Sequence, residues 1–343
     1  VETQTPAFDA IVMAGDSGSY RSVYGTHKAL LEVAGQPVLS YVISALQLCR
    51  YVSRIFVVGP REKIAAALER AGKSSAGPKE IVLVDQGDTV LENAWNTFLH
   101  TIPRSGPDGS LLSDQVLRER YEDKAVLFMG SDMPLVTHDE LDEFVEGCDL
   151  ERYDFLLGTT PKEALKPYEP QEGMSGIRFA HFCFKDSRER QNNLHMVRFF
   201  RVINREYGQL MYHFRYQKQW LNILGLMWRI LRMPEVRPGM ILRLFFLHAA
   251  RMADQKGWKR LLKLLRRFLA KSRLERDISA LLKTRFATVV TSLGGAALDV
   301  DNEEDFEIIR LNFHRWRSYQ ETIREQKARA DRARVEAVPR LPG

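Results

Sequence analysis

Across residues 10–159 short apolar runs alternate with stretches of helical periodicity, and this rhythm limits the fold more than any other feature of the chain. Residues 10–13 are an apolar run ending at Gly15, the pattern of a buried strand feeding a glycine turn. Further strands are predicted over 54–58, 81–84, 125–129 and 153–159, and helices over 38–49, 62–71 and 91–100. The run 125–129 is wholly apolar, as a strand covered on both faces of a parallel sheet requires. Thr137 and Glu140 stand at capping-box spacing and open the helix after it. Strands interleaved with helices in this way predict an α/β fold, a doubly wound and mostly parallel sheet. Residues 104–123, rich in Gly, Ser and charge, read as a surface loop or a short helix.

After residue 159 the rhythm breaks. Residues 162–176 read as a loop, 177–184 as a strand, and 192–285 as helical, aromatic and basic. Strand character returns over 286–291, followed by a turn at Gly294-Gly295 and a long polar helix over 306–337. The formal net charge of +6 conceals a segregation that follows this division. Between Arg198 and Arg285 there are 21 Lys and Arg against 5 Asp and Glu, a balance of +16, so the rest stands at −10. The expected organisation is therefore a core over 1–191, a basic amphipathic helical insertion over 192–285, a final core strand and acidic element over 286–312, and a charged helix and tail over 313–343.

Three local patterns carry chemistry. In the first, Ala14, Gly15, Gly18 and Ser19 follow a strand, and Arg21 and Lys28 come soon after. A glycine loop at a strand end brings backbone N–H groups to a phosphate, and the two cations balance its charge. The loop has neither the Gly-Lys-Ser/Thr end of a Walker loop nor a clean G-x-G-x-x-G. In the second, the apolar run 126–130 ends in Ser131-Asp132-Met133-Pro134, which sets an acid at the carboxyl end of a central strand, facing the ligand crevice of an open sheet. The third is Leu298-Asp299-Val300-Asp301, where the residues by themselves place Asp301 to cap the following helix.

Taken together these residues resemble the MobA-like nucleotidyltransferases, GT-A type NTP transferases with a Rossmann-like core. The matching positions are Ala14-Gly15, Gly18, Arg21, Gly25, Lys28, Leu30, Gly35, Pro37 and Leu39, then Asp132-Met-Pro134-Leu135, then Asp299 to Asp305. Asp16 replaces the second loop glycine, Arg21 stands one residue late, and Asn302-Glu303 replaces a Thr-Pro pair. The resemblance implies that the loop holds an NTP triphosphate, with Lys28 and Arg21 as the catalytic cations. It implies a Mg²⁺ cofactor held by Asp132 and Asp301, with Asp299 adjacent. It places base recognition after the third strand, where Gln86 and Thr89 are candidates, although a helix cap accounts for these residues equally well. The acceptor side would be built from Arg178, Arg190, Asn193 and His195, arginines suiting a phosphorylated acceptor; a packed-core role remains open for His195. The implied reaction transfers NMP from an NTP to a sugar, cyclitol or polyol phosphate and releases pyrophosphate. Two alternatives stay open: a GT-A glycosyltransferase using a nucleotide-sugar, and a non-catalytic nucleotide- or membrane-binding protein with a degenerate site, for which Asp16 is the main argument.

In the basic module, Trp258, Leu261, Leu262, Leu265, Phe268 and Leu269 share one helical face while Lys and Arg occupy most of the rest. This is the pattern of a helix lying on an anionic membrane surface, and residues 219–274 are taken as that contact. Packing of the helices on each other is the competing reading. Nucleic acid is the less favoured partner, since no helix-turn-helix, zinc or RNA-recognition signature accompanies the charge. The longest uncharged apolar run here, 219–228, is half of the roughly 20 residues that a spanning helix needs. The first residues lack a basic segment ahead of an apolar run, and Cys49, Cys148 and Cys183 are widely separated. A reducing, cytoplasmic setting is expected, peripheral to the inner face of the membrane.

Overall fold

Alternate residues of the first strand, β1 (Phe8–Met13), enter two different cores: Ala10 and Val12 one, Ile11 and Met13 the other. A strand's two-residue period divides its side chains in this way when both faces of a sheet are covered. The structure is a computed structural model describing residues 7–16, 22–73, 77–106, 109–207 and 238–336. After β1 come a small antiparallel pair, β2 (Glu32–Val33) and β3 (Gln36–Pro37), then α1 (Val38–Leu48), β4 (Val52–Gly59), α2 (Arg61–Arg70) and β5 (Ile81–Asp85). Next are α3 (Val90–His100), α4 (Asp114–Tyr121), β6 (Ala125–Gly130), α5 (His138–Glu146), β7 (Phe155–Pro161) and the short α6 (Lys162–Leu165). The later part holds β8 (Phe182–Cys183), β9 (Arg188–Arg198), α7 (Pro238–Gln255), α8 (Lys259–Arg266), α9 (Lys271–Leu282), β10 (Phe286–Val290) and α10 (Glu303–Glu336).

The main sheet runs β10-β7-β9-β6-β1-β4-β5, with β8 paired to β9. All neighbours are parallel except at β9, which is antiparallel to β6, β7 and β8. Helices α1, α2 and α5 cover one face, while α3, α4 and the end of α9 cover the other. This is the expected α/β architecture, mixed by one central antiparallel strand.

Three sequence expectations change. Residues 192–198, predicted helical, are strand: their polar side chains are satisfied across the sheet instead of by solvent, as with Asn192, whose amide donates to Thr160 (3.3 Å) and Thr291 (3.1 Å). Residues 177–184 hold strand only at β8. The long C-terminal helix starts at Glu303 and is no polar appendage: Phe306, Ile309, Phe313 and Trp316 are buried on Leu135 and Tyr168. Arg317 and Gln320 donate to the carbonyls of Pro134 (2.7 Å) and Leu135 (2.9 Å), so α10 clasps the segment that follows Asp132.

Candidate active site

The carboxyl ends of β1, β4 and β6 open on one side of the sheet, where the glycine loop begins. Ala14 continues the β1 ladder by donating to Val58 (2.8 Å), which brings its carbonyl against β4. Only glycine fits opposite, since a Cβ on Gly59 would lie 2.1 Å from that oxygen. Gly15 is buried beside Gln86 and Asn93, and its carbonyl meets the His27 ring at 2.9 Å. Asp16, the departure from the family pattern, donates its N–H to Gln86 Oε1 at 2.9 Å, and its carboxylate accepts from the Gln86 amide. Lys63 stands 3.8 Å from the same carboxylate. Asp16 is thereby turned toward β5 and α2, which relieves its conflict with an anion at the loop. Gly18, Ser19 and Arg21 lie outside the described residues.

Lys28 opens a single helical turn, and its ammonium stands 3.8 Å from Asp132 and 3.4 Å from Asp301. Its side chain is 11% exposed. Asp132 comes from the end of β6 and Asp301 from the loop after β10, and the backbone joins them, with Val300 donating to the Asp132 carbonyl at 3.0 Å. Asn302 caps α10, accepting from the Asp305 N–H at 2.9 Å, so Asp301 is not the cap and its carboxylate reaches Lys28. Burial, then repulsion from Asp299 and Asp301, pushes the Asp132 carboxyl well above the ordinary carboxylate range, while Lys28 opposes the rise. Asp305 is likewise pushed up to about 6 by burial and the same two neighbours.

Among the described residues no three His, Cys, Asp or Glu side chains converge tightly enough to hold a metal unaided. Asp132 and Asp301 nevertheless form a two-carboxylate set around one cation, which suits Mg²⁺, an ion that keeps most of its ligands as water and substrate phosphate. Asp299 has a cationic partner of its own. Its carboxylate, 4% exposed, is taken by Arg190 at 2.9 Å, and Arg190 is fixed further by the Ala297 carbonyl (3.2 Å) and the Phe179 ring.

The remaining sequence candidates separate. Gln86 lies at the loop, but the Thr89 hydroxyl caps α3 by accepting from Glu92 N–H at 3.1 Å. Arg190 is committed to Asp299, so it steadies the acidic loop instead of offering an open guanidinium. Asn193 lies beside Gly130, close to Asp132. His195 is half-buried between the rings of Phe128 (5.6 Å) and Phe155 (5.9 Å). Arg178 is exposed and has no bond to this cluster among the described residues.

Sequence reasoning missed His27, took Glu140 only as the capping-box partner of Thr137, and placed Asn93 only as a residue one turn beyond Gln86 and Thr89. Asn93 is buried and accepts from Gly87 N–H at 2.5 Å, bracing the loop after β5 against Gly15. Glu140 is fully buried, and its carboxylate accepts from Thr291 (3.1 Å), Gly294 N–H (3.2 Å) and Ala296 N–H (2.9 Å). Thr137 does cap Glu140, but the glutamate side chain does not return to Thr137; it holds the turn that delivers Asp299 and Asp301. Gly294 has φ +83°, and a Cβ on Gly295 would lie 2.0 Å from the Leu135 carbonyl, which is why this turn is Gly-Gly.

Burial raises the Glu140 pKa to about 7 despite those donors. The folded-state pKa thus exceeds the unfolded one, so the contribution to stability is complete below about 4.3 and is lost as the pH rises through about 7. Glu140→Gln sets an amide donor against backbone N–H groups, and we expect it to cost about 1–3 kcal/mol at about pH 5. Denaturation of both proteins should show the wild-type advantage shrinking as the pH rises from about 5 to about 7; an advantage that grows would contradict this role.

Residues 10–171 match the family model of the MobA-like NTP transferase domain. These residues are a MobA-like NTP transferase domain. The MobA-like domain therefore places the chain among enzymes, as a nucleotidyltransferase. The match spans β1, the loop, Lys28 and Asp132, whereas Asp299 and Asp301 lie beyond it. Among solved structures, a hypothetical transferase from Thermus thermophilus is 20% identical with TM-score 0.53, covering 87% of this chain and 99% of its own, and it shares the fold. Also similar are a CMP:2-keto-3-deoxy-manno-octonic acid synthetase complexed with CTP (14% identity, TM-score 0.45, covering 90% and 99%) and a 4-diphosphocytidyl-2C-methyl-D-erythritol synthase from Anaerococcus prevotii (9%, 0.43, covering 90% and 99%). A search of curated proteins found no match.

Proposed function

We propose that the chain is a Mg²⁺-dependent nucleotidyltransferase that moves NMP from an NTP to the phosphate of a phosphorylated alcohol (a sugar, cyclitol or other polyol). An acceptor phosphate oxygen bonds to the α-phosphorus while the bond from that phosphorus to the β-phosphate bridging oxygen breaks, and pyrophosphate leaves. The attacking phosphate is already anionic, so no side chain has to remove a proton. One observation carries the reading: the Lys28 ammonium lies within 4 Å of both Asp132 and Asp301, which come from distant parts of the chain. Lys28 would neutralise charge developing on the transferred phosphorus and the leaving group. Asp132 and Asp301 would hold Mg²⁺, which supplies charge neutralisation when bound. Gly15 and the loop after it would receive the triphosphate, with Gln86 and Asn93 setting the loop's position. Each NTP is to be incubated with a panel of phosphorylated alcohols and Mg²⁺. One pairing should release pyrophosphate, and silence of every pairing would contradict the reading.

We further propose that the helical module meets an anionic membrane surface. The single amphipathic face expected over 257–274 is divided, because Leu262, Leu265 and Leu269 are buried on Cys183, Phe184 and Leu247 of the same cluster. Leu242, Phe245, Leu261, Leu264 and Phe268 remain exposed, and this apolar flank supports membrane contact. The stretch 219–230 lies outside the described residues. No helix among the described residues is long and apolar enough to cross a membrane. Vesicles of phosphatidylcholine and phosphatidylglycerol should co-sediment the protein, and Leu261→Ser with Leu264→Ser should abolish this. Equal recovery of both proteins in the supernatant would contradict it.

A further inference from the structure

Away from the acidic cluster, a cavity of about 590 Å³ opens between the chain just after β8, the start of β9, and helices α7 and α8. That volume falls in the range of sites for small organic ligands, about 300–1,000 Å³. Lys185, Arg188, Lys259, Lys263, Arg266 and Arg267 line it, against a single carboxylate, Asp254. Asp254 is already paired to Arg188 at 3.2 Å. Among the described residues the other five cations meet no carboxylate within 4 Å. Arg266 is held in place by the carbonyls of Phe184 (2.5 Å) and Lys185 (3.0 Å), so at least one guanidinium is oriented by the fold. Gathering this many like charges around one concavity is unfavourable unless an anion enters it. A planar, anchored guanidinium beside flexible lysines is the donor set that recognises phosphate.

The direction of the helix distinguishes a soluble ligand from a lipid surface. At about 100° per residue, Lys259, Lys263 and Arg266 leave α8 nearly opposite to the exposed Leu261 and Leu264. A bilayer meeting the apolar flank would therefore not face the cavity. We propose that the cavity binds a soluble phosphomonoester, as an anion site separate from the glycine loop. Its lining Arg188 lies two residues before Arg190, the partner of Asp299, so an occupant would sit on the strand that steadies the acidic loop. The proposal does not depend on the nucleotidyltransferase reading.

The test titrates full-length protein, without nucleotide, with glycerol 3-phosphate by calorimetry. It is repeated on Lys263→Ala/Arg267→Ala, whose two side chains are exposed and whose melting temperature should match wild type. We expect saturable binding in wild type, weakened at least tenfold in the double variant and unchanged in Lys28→Ala. Binding that survives the double variant, or that is lost only in Lys28→Ala, would overturn the proposal, since the ligand would then sit at the loop. A parallel arm uses vesicles of phosphatidic acid in phosphatidylcholine, which carry the same phosphomonoester on a lipid. If the vesicles bind through Lys263 and Arg267 while glycerol 3-phosphate does not bind, the site serves a headgroup and the soluble-ligand proposal fails. The absence of any binding in both arms would also overturn it.

Discussion

Lys28→Ala is expected to slow pyrophosphate release by about 10²–10³-fold, the usual loss when one preorganised donor to a charged transition state is removed. The ammonium is almost enclosed and points at Asp132 and Asp301 from a backbone turn fixed by the buried Ala29 behind it. A water molecule filling the vacated volume would not carry the charge. Lys28→Arg should recover little, because a planar guanidinium cannot occupy the position of a compact ammonium that faces two carboxylates from different loops. Lys28→Ala also removes the cation that opposes the repulsion of Asp132 by Asp299 and Asp301, so the variant should melt at a lower temperature. A variant that turns over at the wild-type rate would remove Lys28 from the catalytic group.

Asp132→Asn is expected to act with the opposite balance. Activity should fall by at least about 10²-fold and the Mg²⁺ concentration needed for half-maximal rate should rise, since one of two carboxylates that suit the ion loses its charge. Stability should not fall. The native carboxyl is strained by burial and by two neighbouring acids, and a neutral amide of the same shape relieves both. Lost activity together with a maintained or raised melting temperature is the mark of a group kept for function at a cost to folding. A parallel loss of activity and stability would instead mean that Asp132 is a structural acid, serving only to meet Lys28.

Much of this site was legible in the chain because its parts are local patterns. An apolar strand ending in Ala14-Gly15, a Lys three residues beyond Gly25, and an acid after the 125–130 strand each declare their geometry within a few residues. Asp301 was legible only through the family pattern, since 169 residues separate it from Asp132 and no periodicity spans that distance. β9 was not legible. Glu189 pairs with Lys271 at 2.7 Å, Arg190 with Asp299 and Asn192 with two threonines, so its polar residues look solvated until their partners arrive from elsewhere. Glu140 was misread for a related reason: its spacing from Thr137 satisfies a local cap, while its side chain answers to a turn 154 residues away. The helix at 259–266 shows the same limit, because a stripe of leucines marks amphipathicity but not which of them a neighbouring helix will cover.

Following the fate of each phosphorus tests the central claim most directly. Wild-type protein is to be incubated with Mg²⁺, a phosphorylated alcohol and NTP labelled at the α- or the γ-phosphorus. We expect the α label in the acceptor product and the γ label in pyrophosphate, with both transfers slowed by Lys28→Ala. Appearance of the γ label on the acceptor, or of no label there at all, would contradict nucleotidyl transfer.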